Sequence, residues 1–275
     1  MTILERPPDT TTGDPASLQT LLRGLNALNI VARGDGEVTA KAIAEELGVR
    51  QATCYHLLRT LVAEGYVTRT PGGHYEIGPH GGALGYHLER QFGPPAEFSA
   101  ILSRLHTQTR ETSYICGWRH GAVVIQQFLG GSGPIAVGNL DVGYSANLHA
   151  RASCLSMLAF LPDNLVETML LGTRFERLTA HTISSFDELQ HRLAQVRRSG
   201  YAVDKEEFSD GVCCVSAPFF DETGQPAGSF TVSAAASRFA TQGGTLANAV
   251  QEAAAIATRL TGGVHAASGR RTEHA

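Results

Sequence analysis

The chain has 275 residues, which is enough for two domains of ordinary size, and its 43% hydrophobic and 17% charged residues are typical of a globular protein rather than a disordered one. A net charge of −4 argues against a protein that coats nucleic acid irrespective of sequence. Because no apolar run approaches the length of a membrane span and residues 1–15 lack an apolar signal core, we expect a cytoplasmic protein.

The N-terminal region is expected to change from a disordered tail to a helix near residue 17. Residues 1–16 are rich in Pro, Thr and Asp, a composition that rarely supports a packed core. From residue 17 to residue 32, Leu and Ile recur at helical spacing and predict a helix with a broad apolar face. That face is long enough to pack on the following elements and on a second copy of the chain.

Residues 39–78 predict two short helices followed by a β-hairpin. Thr39 is a good N-cap for the first helix, and Gly48 ends that helix where the chain must turn left-handed. After the second helix, the segments 66–69 and 74–77 read as strands around a Pro-Gly-Gly turn. This order of elements is that of a winged helix-turn-helix.

We therefore predict a winged helix-turn-helix domain over residues 17–80. In DNA-binding examples of this fold, the second helix enters the major groove. Here that helix turns Leu57 and Leu58 inward and leaves a polar side open. The candidates for DNA contact, on the open side of the helix and at the hairpin, are Arg50, Gln51, Thr53, Tyr55, His56, Arg59 and Arg69.

Charge alone does not decide whether DNA or a protein is the ligand of this domain. Residues 17–80 contain six basic and six acidic residues. Between Arg50 and Arg69, however, three arginines stand against Glu64 alone, so that stretch would supply the attraction to phosphate. A winged domain used for protein contact remains the alternative.

The stretch contains, in order, Ala42-Ile43-Ala44, Gly48-Val49, Thr53, Leu57-Leu58, Leu61 and Gly65-Tyr66-Val67. With these residues it resembles the N-terminal module of the isocitrate-lyase-regulator (IclR) family of bacterial transcription factors. It departs from the family pattern at Arg50, at Ala52 and at the pair Tyr55-His56, which leaves the DNA target open. The resemblance implies binding to double-stranded operator DNA by homodimers that pair into tetramers.

A linker over residues 81–95 is predicted to begin as a helix and to break at Gly93-Pro94-Pro95, because proline lacks a backbone donor. A second domain follows over residues 96–263, and residues 264–275 are expected to form a tail. Its predicted helices cover 97–109, 149–161, 164–171, 185–199 and 241–260, and its predicted strands cover 113–118, 123–129, 135–142, 200–204, 212–220 and 228–234. Helices gathered around a mostly antiparallel sheet make an α+β domain.

The segment Gly200–Phe239 reads GYAVDKEEFSDGVCCVSAPFFDETGQPAGSFTVSAAASRF. It closely matches the C-terminal signature of the same family, GYA-x-D-x-E-E followed by G-x-x-C-x-A-x-P and, later, S-R. This second resemblance implies an effector-binding domain similar in fold to GAF sensor domains. The two resemblances together cover about residues 17–262, with the right order and spacing at both ends.

Two predicted strands place small polar side chains on shared faces. Cys214 and Ser216 alternate with other residues along one strand, and Ser229, Thr231 and Ser233 alternate along the next. A row of hydroxyls with a thiol suits the wall of a polar pocket, where Ser and Thr can donate to a bound anion. Because the same alternation is typical of a strand face open to solvent, the residues alone leave both interpretations open.

The family resemblance favours the pocket, since ligand contacts in the family fall on positions that match residues of this chain. The effector-binding residues it implies are Ala152, Ser153, Asp204, Val212, Cys214, Thr231 and Ser233. The helix expected to start near Ala152 would offer free backbone N–H groups to an anion. Arg151 stands where the family has a small hydroxyl residue, and it could pair with a carboxylate or point to water.

We expect the effector to be a small organic acid, with its carboxylate at Ala152 and Ser153 and against Thr231 and Ser233. Asp204 would repel an anion unless it is protonated or accepts from a ligand hydroxyl, which favours a hydroxy-, keto- or phenolic acid. Three aromatic residues on nearby predicted strands could line a ring of the ligand: Tyr114, Trp118 and Phe128.

The same residues allow other functions. His149, Asp204 and Cys214 are residue types that bind zinc in a sensor or form a cysteine-dependent catalytic triad, although their spacing carries no signature of either. A redox sensor based on Cys214 is a further alternative. The five cysteines are scattered without a C-x-x-C pair and are predicted to be free thiols. We predict no cofactor and no catalytic residue.

Overall fold

A computed structural model of the chain describes residues 18–131 and 142–263. The tails predicted for residues 1–16 and 264–275, and all but the last residue of the strand predicted for 135–142, lie outside the described residues. The chain divides into two compact units, with the division between Gly93 and Pro94. Within the described ranges, none of the helices has the length and apolar content that crossing a bilayer requires.

The N-terminal unit has the helices and the hairpin that the sequence predicts. Its elements are α1 Gln19–Arg33, β1 Val38–Thr39, α2 Ala40–Glu46, α3 Gln51–Ala63, β2 Val67–Arg69, β3 His74–Ile77 and α4 Pro79–Phe92. The strands pair antiparallel in the order β1-β3-β2. The predicted winged helix-turn-helix is confirmed, and the short strand β1, which was not predicted, pairs Val38 with Tyr75.

Two local features position α3 in this unit. The Thr39 hydroxyl accepts a hydrogen bond from the Ala42 N–H at 3.3 Å and so caps α2, as predicted. Gly48 adopts a φ of +64°, a left-handed conformation in which a side chain is unfavourable, and the chain turns there from α2 towards α3. The inner side of α3, including Cys54 and Leu58, is buried in the core of the unit.

The C-terminal unit is an α+β domain built on one antiparallel sheet, as predicted. Its elements are α5 Ala96–Thr109, β4 Thr112–Arg119, β5 Ala122–Leu129, α6 Ala152–Leu158, α7 Asp163–Leu170, α8 Phe186–Ser199, β6 Ala202–Lys205, β7 Val212–Phe220, β8 Pro226–Ala235 and α9 Ala236–Leu260. The strand order is β5-β4-β8-β7-β6, and every neighbouring pair is antiparallel.

Three boundaries in this unit differ from the prediction for physical reasons. The helix predicted for 149–161 is the shorter α6, because Arg151 just before it is extended. The strand β6 begins two residues later than expected, because Gly200 is the left-handed cap that ends α8. The last helix begins earlier than residue 241, directly after β8.

The two faces of the sheet pack against different helices. On one face, Val215, Phe230 and Val232 pack with apolar residues of α5 and α9. On the other face, Cys116 and Cys214 lie in a second core cluster with residues of α6 and α8. Because neighbouring residues of a strand point to opposite faces, the alternation in β7 and β8 assigns apolar side chains to the first face and small polar ones to the second.

An ion pair joins the start of α9 to the turn before β4, and its loss should destabilise the C-terminal unit. Arg238 donates from Nε and Nη2 to the two carboxylate oxygens of Glu111 at 2.5 and 2.7 Å, and Glu111 is buried. In Arg238→Met that carboxylate loses both charged donors, which should lower the free energy of unfolding by about 2–3 kcal/mol. Urea denaturation of the purified protein measures the change.

The matched control is Arg104→Met, because Arg104 pairs with Glu252 where both side chains are at least half exposed. Exposed pairs contribute little, so this change should cost about 0.5 kcal/mol or less. Equal losses in the two variants would contradict the role assigned to burial of Glu111.

Candidate functional site

The residues predicted to contact DNA lie on the surface of the N-terminal unit. Arg50, Gln51, Tyr55, His56, Arg59 and Arg69 are exposed, and Thr53 is half-buried. The stripe of α3 that contains Gln51, Tyr55 and Arg59 has the spacing of four residues that places side chains along one side of a helix. No acidic residue occurs within α3, so this side is available to a polyanion.

Two other basic side chains of the unit form ion pairs with acidic residues, whereas the arginines near this surface form none with the residues that the structure describes. Lys41 pairs with Glu45 at 3.8 Å, and Arg33 pairs with Glu46 at 3.4 Å. By contrast, Arg59 donates to the ring Nδ1 of a neighbouring histidine at 3.3 Å and has no acidic partner among the described side chains.

Arg50 and Arg69 extend the basic surface to both sides of α3. Arg50 directly precedes the helix and makes no capping hydrogen bond with its side chain. Arg69 ends β2 at the start of the hairpin turn, where Gly73 has a φ of +81°. Within the described ranges neither arginine forms an ion pair, so both guanidinium groups can bind phosphate.

In the C-terminal unit, α6 covers a polar face of the sheet. We call the four side chains Ser216, Ser229, Thr231 and Ser233 the hydroxyl row. Across β7 and β8, Ser216 lies opposite Thr231, and Cys214 lies opposite Ser233. All four residues of the row are buried. The alternative of a solvent-facing strand surface is therefore wrong.

Hydrogen bonds connect much of the hydroxyl row to itself and to α6. Thr231 donates to the Ser216 hydroxyl at 2.8 Å, and the Ser216 and Ser156 hydroxyls lie 3.1 Å apart. Ser229 donates to the backbone carbonyl of Ser153 at 3.2 Å. Ser156, which no sequence motif marks, is a second link between helix and sheet, and only the packing of α6 reveals its role.

The predicted effector residues all lie buried in the C-terminal unit, on α6 or on the strands β6, β7 and β8. They are Ala152, Ser153, Asp204, Val212, Cys214, Thr231 and Ser233. Asp204 lies opposite Cys214 in the pairing of β6 with β7, and the Cys214 sulfur is 3.0 Å from the Ser233 hydroxyl. The structure thus joins Asp204, Cys214 and Ser233 into one continuous polar group.

Burial raises the pKa of Asp204 to about 7, although N–H donation from Glu207 at 2.6 Å opposes that rise. Glu207, which is also buried, adds negative charge nearby and pairs with Arg192 at 2.6 Å. At neutral pH Asp204 is therefore partly protonated. A protonated carboxyl can lie beside a bound acid without repelling it, which removes the conflict noted from the sequence.

Arg151 does not point to water, since it is only 4% exposed. Its Nη1 donates to the carbonyl of Ala146 at 3.3 Å, and its Nη2 lies 3.6 Å from the Cys116 sulfur. The guanidinium carbon is 5.1 Å from the centre of the Tyr144 ring, a cation–π distance.

Two polar atoms of this region are buried without a hydrogen-bond partner. They are the Ser153 hydroxyl oxygen and the Nδ1 nitrogen of His149. The other ring nitrogen of His149, Nε2, lies 3.0 Å from the carbonyl of Glu176 and is the donor there. A buried polar atom without a partner is costly and indicates a missing ligand or a locally unfavourable contact.

The described residues do not form the metal site that His149, Asp204 and Cys214 might suggest by type. No group of three or more His, Cys, Asp or Glu side chains in residues 18–131 and 142–263 is placed to hold a metal ion. All five cysteines are free and buried. Burial raises the pKa of Cys214 well above its usual value, so its thiol is protonated and a poor nucleophile.

The aromatic residues expected near the ligand occupy different environments. Tyr114 is buried in the cluster with α6, and Trp118 packs against that cluster and donates to the carbonyl of Pro226 at 2.7 Å. Phe128 is 41% exposed, so its predicted place in the wall of a buried site is not supported.

A surface cleft lies apart from the hydroxyl row, between residues 177–184 and α8. Its volume is about 410 Å³, and His181, His191 and Arg192 are among its lining residues. These residues could not be predicted as part of a site, because no sequence motif marks them and the loop that approaches α8 has no periodic pattern.

Two family models together match most of the chain. One, described as bacterial transcriptional regulator IclR C-terminal, matches residues 95–259, and the other, the IclR helix-turn-helix domain, matches residues 20–71. The transcriptional repressor IclR of Escherichia coli (strain K12) is 29% identical over 242 residues, which cover 85% of this chain and 86% of that protein.

Solved structures with the same fold span nearly the whole chain. The Thermotoga maritima IclR has a TM-score of 0.70 at 26% identity and covers 89% of this chain and 99% of that one. An IclR homolog from Microbacterium hydrocarbonoxydans, solved in complex with 4-hydroxybenzoate, has a TM-score of 0.61 at 18% identity over 88% of this chain and 99% of that one. The second likeness, at that identity, is evidence of the fold alone.

The raised pKa of Asp204 predicts an unusual pH dependence of stability. Its folded-state pKa of about 7 lies above the unfolded value of about 3.9, so the folded state binds the extra proton and loses stability as pH rises from about 4 to about 7. Relative to Asp204→Asn, the wild type should therefore lose on the order of 3 kcal/mol across this window and change little above it.

Urea denaturation of both proteins at a series of pH values measures this difference. Asp210→Asn, at an exposed position, controls for the loss of one negative charge. A wild type that gains stability relative to Asp204→Asn as pH rises would contradict the assignment, because that is the behaviour of a carboxyl with a lowered pKa.

Proposed function

Because the chain belongs to the IclR family of bacterial transcriptional regulators, we propose that it binds a partly palindromic operator as a homodimer and senses a small organic acid in its C-terminal domain. Its relatives are named as transcriptional regulators and repressors, so the chain is a DNA-binding regulator rather than an enzyme. The proposal depends on the presence of two features in one chain. The N-terminal unit has a helix, α3, that contains no acidic residue and has an exposed side, and the C-terminal unit has a buried polar face.

On the DNA side, α3 is the proposed recognition helix. Gln51, Thr53, Tyr55 and His56 are assigned to base edges, since their side chains can donate, accept or make apolar contacts there. The arginines at positions 50, 59 and 69 are assigned to phosphates or the minor groove. Their lack of acidic partners among the described residues supports this division, because no internal ion pair must be broken on binding.

The homodimer is supported by an apolar surface on α1. Leu18, Leu21, Leu22 and Leu25 are all exposed, and their spacing of three, four and seven residues places them on one side of the helix. A stripe of large apolar side chains on a surface helix is typical of an interaction site. A two-fold dimer presents two copies of α3 to two half-sites, which explains the proposed palindrome. Pairing of dimers into tetramers is part of the same proposal.

The effector is assigned to the buried polar face beneath α6. The proposed polar contacts are Ser153, Asp204, Cys214 and Ser233, and the proposed apolar neighbours are Ala152 and Val212. Thr231 becomes a further contact when α6 shifts from its hydrogen-bonded position. Because Asp204 is partly protonated at neutral pH, it can donate to a ligand oxygen or accept from a ligand hydroxyl. This favours a hydroxy-, keto- or phenolic acid, and 4-hydroxybenzoate, the ligand in the structure of the IclR homolog from Microbacterium hydrocarbonoxydans, is an acid of the phenolic kind to include in the test.

The effector can alter DNA binding only by the difference between its affinities for the DNA-competent and DNA-incompetent states. The acid is therefore expected to change operator affinity without occupying the DNA surface. Reciprocity requires that operator DNA change the affinity for the acid by the same factor.

The assignment of α3 predicts two kinds of variant. On operators selected from a random DNA pool, Gln51→Ala should change the preferred base at one position of each half-site, because base contacts specify sequence. Arg59→Ala should weaken all sites alike and reduce the salt dependence by about one charge, because phosphate contacts carry no sequence information. Fluorescence anisotropy over a range of salt concentrations measures both effects.

Arg104→Ala is the control, because Arg104 is an exposed, ion-paired arginine of the C-terminal unit. It should leave affinity, preference and salt slope as in the wild type. If Gln51→Ala and Thr53→Ala both bind the selected operators with unchanged affinity and preference, α3 is not the recognition helix.

A further inference from the structure

The side chain of Arg151 is a cation held inside the C-terminal unit. It is 4% exposed and lies among the Ala146 carbonyl, the Cys116 thiol and the face of the Tyr144 ring. A guanidinium carries five N–H donors. The described neighbours offer it one carbonyl oxygen at 3.3 Å and one sulfur at 3.6 Å, which is poor compensation for a charge removed from water.

Other arginines of the same unit have carboxylate partners even though they are less buried. Arg192 donates to Glu207 at 2.6 Å, and Arg238 makes a two-point contact with Glu111. For Arg151, no carboxylate in residues 18–131 or 142–263 lies within ion-pair distance. The fold thus supplies acidic partners for these two partly exposed arginines and none, in the part described, for the buried one.

The polar side chains that do surround Arg151 are neutral at pH 7. Burial raises the pKa of Cys116 to about 11 and raises that of Cys154 above its usual value. Burial also raises the pKa of Tyr114 well above its usual value. The positive charge of the guanidinium is therefore not balanced by a thiolate or a phenolate.

A second observation indicates a ligand at the same place. Ser153, two residues further along the chain, has a buried hydroxyl that no oxygen or nitrogen atom satisfies, and its neighbours there are the thiols of Cys116 and Cys154. Tyr114 interacts with Arg151 and Cys116 and also with Cys214 and Ser233. An anion at Arg151 would thus have an incompletely bonded hydroxyl within the same cluster, together with further polar groups.

We propose that Arg151 binds the carboxylate of the effector through its two terminal nitrogens and thereby makes this chain selective for acids over uncharged analogues. The inference rests on the proposed function, because it names the anchor within the same effector site. The sequence had placed the carboxylate of the effector at the α6 N–H groups and Thr231, but the Thr231 hydroxyl already donates to Ser216. The carboxylate is instead assigned to a side chain with a full positive charge. The paired N–H groups of arginine match the geometry of a carboxylate.

The first test needs no ligand and compares Arg151→Met with Arg151→Lys. If no acidic group of the chain pairs with Arg151, methionine removes an uncompensated charge and lysine retains it, so the methionine variant should melt at the same temperature as the lysine variant or higher. A lysine variant that melts more than about 2 °C above the methionine variant would overturn the proposal, because the charge would then be compensated by groups of the chain itself and would need no ligand.

The second test compares acids with their uncharged amides on the full chain. Benzoate, 4-hydroxybenzoate and 4-hydroxybutyrate are each paired with the corresponding primary amide, and binding is followed by the shift in melting temperature and by calorimetry. At least one acid should stabilise the wild type where its amide does not. Its affinity should fall by at least about tenfold in Arg151→Met and by less in Arg151→Lys, which keeps the charge but not the two-point geometry.

The inference fails if no acid stabilises the wild type more than its amide, or if an acid binds Arg151→Met as tightly as the wild type. Operator binding without any acid is measured on the same samples and should be equal in the wild type and in Arg151→Met. Loss of operator binding in the wild type itself would instead contradict the proposed function, so the two failures are distinguishable.

Discussion

The C-terminal unit depends on a helix and a sheet that are joined by polar side chains. Where α6 covers β7 and β8, the hydroxyls of Ser156, Ser216 and Thr231 form a hydrogen-bonded chain in a region without exposure to solvent. Such an interface is stable only when its polar atoms have partners, since each unpaired one costs free energy that apolar packing does not restore. The groups whose bonding is incomplete, Ser153 and Arg151 above all, therefore mark where a ligand would complete the interface.

This constraint links the effector site to regulation. A ligand that enters beneath α6 must exchange hydrogen bonds with the helix, so binding and the position of α6 are coupled. The N-terminal unit requires no comparable device, because its candidate contacts are exposed and its hydrophobic core is independent of them. Selectivity for DNA thus lies on an exposed surface, and selectivity for the effector lies in an interface whose hydrogen bonds a ligand would exchange.

Much of the fold could be predicted from the sequence, because helical and strand periodicities, Thr39 and Gly48 are local signals. The two faces of the strands could be predicted from the alternation of polar and apolar residues, but this alternation could not reveal that α6 covers the polar face. The environment of Arg151 could not be predicted for a similar reason, because packing decides whether an arginine before a helix faces water or the core. The cleft near Arg192 could not be predicted either, since it forms where a non-periodic loop approaches α8.

The central claim is that a carboxylate ligand neutralises Arg151 within the polar interface beneath α6. A crystal structure of the full chain with a bound acid tests it most directly. We expect both terminal nitrogens of Arg151 to lie within about 2.7–2.9 Å of the two oxygens of the ligand carboxylate. A carboxylate bound elsewhere, or Arg151 paired with an acidic residue of the chain itself, would contradict it.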